Sequence, residues 1–98
     1  MARNQKLTRV IAGRTIVGVD RPAANEVLVR FGDGSVMRVL TSGAAPTGPT
    51  VGTVRAVRQQ GVTLQIDLVP DGTLVLRTAE ATASVIVRDT AHALQYAD

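Results

Sequence analysis

The chain has no cysteine, no tryptophan, one phenylalanine, one tyrosine and one histidine. Without cysteine there is no disulfide, no thiolate metal site and no cysteine nucleophile. A lone imidazole, His92, does not make up a zinc ligand set. No Gly-x-Ser-x-Gly elbow presents a serine nucleophile. No apolar run approaches the ~18 residues of a membrane span, and Arg9 interrupts the Leu7–Ala12 stretch, which makes it a poor signal-peptide core. These absences lead us to expect a cytoplasmic, non-enzymatic protein with no cofactor, no bound metal and no membrane partner.

What is present is valine. Fifteen of the 98 residues are Val, and 45% of the chain is hydrophobic. A β-branched side chain restricts its own χ1 and fits a pleated sheet better than a helix. The length makes one domain with one core. A core of Val, Leu and Ile without aromatics is thin per residue, which favours burying more surface against a second chain.

Charge is unevenly spread. Arg3, Lys6, Arg9 and Arg14 fall within residues 1–14, which hold no acid, whereas residues 15–98 hold seven arginines against eight acids. The net charge of +3 therefore lies in the N-terminal segment, and these four residues are the candidate contacts to an anionic partner.

Within residues 1–14, Asn4 is placed to cap a helix over residues 5–12, with Leu7, Val10 and Ile11 at helical spacing and Gly13 to end it; the same residues could instead begin a strand. From Thr15 the pattern is that of strands. Residues 15–19 form one, closed by Asp20-Arg21-Pro22; residues 26–31 and 35–41 pair through Gly32-Asp33-Gly34. Residues 42–50, rich in Pro and Gly, form a loop. Strands follow at 51–58, 62–69 and 73–78. In the middle one Val62, Leu64, Ile66 and Leu68 face one way, and Thr63, Gln65 and Asp67 the other. A seventh strand covers residues 83–88. A short helix is expected to follow, capped by Asp89 or Thr90 and reaching about residue 96.

With an offset of 38, Thr15-Ile16-Val17-Gly18-Val19 lies over Thr53-Val54-Arg55-Ala56-Val57, and Asp33-Gly34 lies over Asp71-Gly72. Val29 then falls on Asp67, so the second strands are out of phase by one residue unless a bulge near Gly32 restores the register. The expected fold is mainly β: a small antiparallel barrel or curled sandwich of about seven strands, with two pseudo-repeated three-stranded meanders (residues 15–41 and 51–78) and short terminal helices. Closure is expected because an open sheet leaves Val-rich edges unpaired.

Gly32-Asp33-Gly34 begins like a phosphate loop, but Met37 stands where a third glycine is needed and a strand follows. Asp33 and Asp71 both sit in turns, where Asp serves backbone hydrogen bonds. Arg30, Arg38, Arg55, Arg58, Arg77 and Arg88 would form a cationic stripe if they shared the outer face. Cross-strand pairing with Glu26, Asp67 or Glu80 is the ordinary alternative. With only Phe31 and Tyr96 as aromatics, stacking platforms for unpaired bases are missing. Residues 54–81 are similar in pattern to the small β-rich RNA-binding carbon-storage regulators, in an alternating strand, a turn and another strand; no residue role comes with the likeness.

The expected function is a non-enzymatic protein-interaction or assembly module that self-associates through sheet edges, with residues 15–19 and 83–88 as candidate edge strands. The expected partner is thus a second copy or another protein. The alternative is a small basic nucleic-acid-binding barrel that uses Arg3, Lys6, Arg9 and Arg14 on phosphates.

Overall fold

In the computed structural model, which describes residues 2–98, helix α1 (Gln5–Ile11) forms where the spacing predicts it. The Asn4 side chain accepts a 3.0 Å hydrogen bond from Leu7 N–H, the usual service of a cap to an orphan helix donor. Leu7 and Ile11, one turn apart, are fully buried, and Gly13 follows the helix with φ +86°.

The strands are β1 (Ala2–Arg3), β2 (Thr15–Ala23), β3 (Glu26–Phe31), β4 (Val36–Leu40), β5 (Gly52–Gln60), β6 (Thr63–Val69), β7 (Thr73–Arg77), β8 (Val85–Arg88) and β9 (Leu94–Ala97). Eight of them form one antiparallel sheet in the order β7-β6-β5-β2-β3-β4-β8-β9, and β1 pairs with β5 beside β2. The two meanders, β2–β4 and β5–β7, meet through their first strands at Thr15↔Thr53 and Ile16↔Gly52. Alternation buries one side of β3, β4, β6, β7 and β8: Val27, Val29 and Phe31 on β3, for example, and Leu64, Ile66 and Leu68 on β6. With Leu7 and Ile11 these join one hydrophobic cluster, each such side chain contributing about 1.5–3 kcal/mol when fully buried.

The sheet is neither closed into a barrel nor strongly curled, contrary to expectation. The edge that closure would remove is managed differently at β7. The loop after β4 returns along it, and Thr47 and Val75 exchange backbone hydrogen bonds of 3.0 and 2.8 Å. Thr41 and Thr78 add one more isolated bridge. Pairing an edge with a loop satisfies its donors and acceptors without a ladder.

Four local expectations are corrected. Strand β2 does not end at Asp20-Arg21-Pro22 but runs on to Ala23; the register slips between Asp20 and Ala23, and a bulge is one of the few places where a sheet tolerates proline. Val62 does not share the face of Leu64, since it lies in the turn before β6 and is exposed. The C-terminal helix is absent, and residues 89–93 are the turn of a β8–β9 hairpin. There Asp89 Oδ1 accepts from Ala91 N–H and Ala93 N–H, both at 2.9 Å. Finally, residues 83–88 are not an edge, and residues 15–19 are open on one side only beyond Ile16. Strand β8 lies between β4 and β9, and β2 lies between β5 and β3 over its first two residues.

The correspondence of the two meanders is more detailed than the sequence pattern. On β2 the register slips between Ile16 and Gly18, opposite Phe31 and Arg30; on β5 it slips between Val54 and Ala56, opposite Leu68 and Asp67. The same bulge thus stands at the same place in both. The second slip on β2, before Ala23, has no counterpart on β5. That extra residue changes the offset from 38 to 37 and brings Val29 onto Ile66. The Asp-Gly match at offset 38 is one residue out: Phe31 N–H to Ser35 O at 3.0 Å corresponds to Leu68 N–H to Gly72 O at 2.9 Å.

Candidate interaction edge

Strands β2 and β5 diverge after their short contact, and each then exposes one side of its backbone. On β5 that side is occupied by the N-terminal segment. Gly13 N–H donates to Val54 O at 2.8 Å, and Val54 N–H donates to Arg14 O at 2.9 Å. Val57 N–H donates to Thr8 Oγ1 at 3.0 Å, Asn4 N–H donates to Val57 O at 2.8 Å, and β1 continues the pairing at Arg58 and Gln59. Under this cover Val57 is 0% exposed.

On β2 the equivalent side has no cover. Among the described residues, no backbone hydrogen bond joins residues 17–23 to any segment other than β3 and the turn between the two strands. Val19 stands one step past the shared bulge and opposite Val29, as Val57 stands opposite Ile66. Alternation along the ladder therefore points its N–H and C=O away from β3, toward solvent. Val19 reaches the core yet is only partly buried, and Val17 is 48% exposed.

Arg30 frames this edge. Its side chain crosses over Gly18, filling the space a Cβ would occupy, and its Nε donates to Asp20 Oδ2 at 2.6 Å. Glycine at this point is what lets the guanidinium approach the backbone. Among the described residues, the terminal nitrogens of Arg30 and the second carboxylate oxygen of Asp20 have no hydrogen-bond partner.

The residues singled out for an anionic partner lie in different surroundings. Arg3 pairs with Arg58 through the backbone, and its side chain lies outside the described residues. Lys6 and Arg9 stand exposed on one face of α1. Arg14 is engaged within the protein. Its Nη1 donates to Ser35 Oγ at 2.9 Å, its Nε is 3.7 Å from Asp33 Oδ2, and its guanidinium lies 5.9 Å from the centre of the Phe31 ring. Asp33 in turn accepts from the Ser35 hydroxyl and the Ser35 N–H. These bonds, and then the nearby Arg14, hold its carboxyl below the usual range despite some desolvation.

Of the six strand arginines, Arg30, Arg38 and Arg58 are ion-paired, and Arg55, Arg77 and Arg88 have no ion pair among the described residues. Arg38 Nη2 meets Glu26 Oε2 at 2.9 Å, while Arg58 grips Asp67 with two bonds of 2.9 and 2.8 Å. The Asp67 side chain is 13% exposed and also accepts from Thr73 Oγ1 at 3.1 Å. The Arg58 bonds foremost, then Thr73, hold its carboxyl below the usual range against the opposing effect of burial. Glu80 has no ion pair among the described residues.

Elsewhere, an open depression of about 390 Å³ is lined by Thr82, Ala83, Val85, Ile86, Ala97 and Asp98. Among the described residues, no three His, Asp or Glu side chains gather as a metal site, and no helix is long and apolar enough to cross a membrane.

The sequence pattern had set Val19 over Val57. It carries no sign of which one the N-terminal segment covers: residues 15–19 are among the expected edge strands and Arg30 is among the strand arginines singled out, but nothing in the pattern sets Arg30 and Asp20 together beside an open Val19. No family model, no curated protein and no solved structure matches this chain.

Proposed function

We propose that the protein is a non-enzymatic interaction module that takes up an added strand along the open side of β2, at residues 17–21. One observation carries this reading: Val57 and Val19 occupy the same position in the two meanders, and only Val57 is covered. The β5 side demonstrates the chemistry, since a backbone with the same bulge accepts Asn4 and β1. Strand addition draws its affinity from main-chain hydrogen bonds and its specificity from the flanking side chains.

The nucleic-acid alternative has less support. Arg14 is occupied by Ser35, Asp33 and Phe31, which leaves Lys6 and Arg9 as the described cations of that segment facing solvent.

Selection of strand-forming peptides from a random display library, followed by amide mapping in solution, tests the strand-addition reading. Bound peptides are expected to shift the Val17–Arg21 amides, and Val19→Pro is expected to abolish binding by removing the edge donor. Peptides that bind elsewhere, or that bind Val19→Pro equally well, contradict it.

A further inference from the structure

Building on the strand-addition reading, we propose that the strand added to β2 is β2 of a second copy of this chain, joined about a two-fold axis with Val19 opposite Val19. The side-chain chemistry at the edge fits this register. An antiparallel two-fold pairing centred on Val19 sets Asp20 of each copy opposite Gly18 of the other. Gly18 is the residue over which the Arg30 guanidinium lies, and Gly18 and Arg30 are themselves partners across the β2–β3 ladder. Residues directly opposite on neighbouring strands are about 4.5–5.5 Å apart at Cα.

The Asp20 carboxylate of one copy therefore arrives beside the spare guanidinium nitrogens of the other. Each Arg30 keeps its 2.6 Å bond to its own Asp20 and offers its remaining donors across the axis. Charges alternate Asp20, Arg30, Asp20, Arg30 around the axis, so the edge is complementary to itself. Had the axis run through Asp20, the two carboxylates would face each other, which is destabilising. The Val19 N–H and C=O pair with their counterparts, and Val17 comes opposite Arg21, whose guanidinium is held by the Ala24 and Gly43 carbonyls of its own chain.

The bulges limit the contact. The ladder is bounded by the slip at Val17 and by Pro22, so it spans only a few residues. The predicted dimer is therefore weak and concentration-dependent, as befits a module that assembles reversibly.

Sedimentation velocity on the full chain across a concentration series, with Asp20→Arg, Arg30→Asp and the double variant, tests the proposal. Both side chains are about half exposed, and circular dichroism checks that each variant folds. Wild type is expected to show a monomer–dimer equilibrium. Each single variant should weaken it by about tenfold or more, and Asp20→Arg/Arg30→Asp should recover it because the alternation is restored in reverse. A protein that stays monomeric up to about 1 mM, or a dimer indifferent to both single variants, overturns the proposal. A monomer that still binds strand peptides at Val17–Arg21 removes the second copy as partner and leaves the strand-addition reading standing. A monomer that binds none removes both.

Discussion

Asp20 and Arg58 occupy the same position in the two meanders and carry opposite charges. Each reaches diagonally to the neighbouring strand for its counter-ion: Asp20 to Arg30, and Arg58 to Asp67. Arg30 and Asp67 are equivalent positions as well, both set opposite the shared bulge. The fold thus uses one cross-strand ion-pair site twice with its polarity reversed. The two copies differ in environment. Asp20 is 50% exposed, whereas Asp67 is 13% exposed and takes two bonds from Arg58 and one from Thr73.

That difference predicts unequal costs of removal. Asp67→Ala, which strips three charge-assisted bonds from a largely buried site, is expected to lower unfolding free energy by about 1–2 kcal/mol. Asp20→Ala is expected to cost under about 1 kcal/mol, as for other exposed pairs. Urea unfolding of the two variants beside wild type makes the comparison, and equal costs contradict the account.

Acid should act through the same residues. Asp67 and Asp33 both have carboxyls held below their usual range, the first by Arg58 and the second by Ser35. A lowered folded-state value means that the stabilisation is complete above the unfolded value near 3.9. It is lost as pH falls from there through the folded value. Asp67→Asn is expected to flatten the stability–pH curve in that acid window and to leave its shape near neutrality unchanged. A curve with the wild-type slope below pH 4 contradicts the assignment.

Gly48 is expected to be the least replaceable loop residue. Its φ is +104°, and a Cβ there would collide with the Thr73 carbonyl. It also follows Thr47, whose backbone closes the β7 edge. Gly48→Ala should destabilise by about 2 kcal/mol or more and should speed exchange of the Val75 amide, which Thr47 O normally accepts. A variant of wild-type stability with a protected Val75 amide contradicts this role for the loop.

Arg14, set beside Lys6 and Arg9 in sequence, should behave differently from them in the fold. Arg14→Ala removes the bond to Ser35 and the packing over Phe31 and is expected to cost about 1 kcal/mol. Lys6→Ala and Arg9→Ala, exposed on α1, should stay within about 0.5 kcal/mol of wild type. Thermal melts of the three variants check the contrast.

The strands that buried one face were legible from alternation. Val27, Val29 and Phe31, or Leu64, Ile66 and Leu68, declare a strand and its inner side together. The helix at Gln5–Ile11 was legible because Asn4, Leu7, Ile11 and Gly13 agree on it. The residues after Arg88 misled because Asp89 serves a helix cap and a tight hairpin turn equally well, and β9 is too short to show a period. Pro22 misled because a bulge carries the strand past it. Closure was expected from the need to protect edges. The chain meets part of that need at β7 with Thr47, a long-range pairing that no local pattern reveals. That residues 15–19 form an edge was legible, but that the edge is open only beyond Ile16 was not, for the same reason. Two valines at equivalent positions look alike until the path of residues 2–14 shows which one is covered.

The central claim is that Val19 presents an unpaired backbone edge where Val57 does not, and amide hydrogen exchange at two protein concentrations tests it most directly. In dilute solution the Val57 amide, bonded to Thr8 Oγ1, should be protected while the Val19 amide exchanges freely; at high concentration Val19 should become protected and Val57 should stay unchanged. A Val19 amide as protected as Val57 in the dilute monomer would contradict the account.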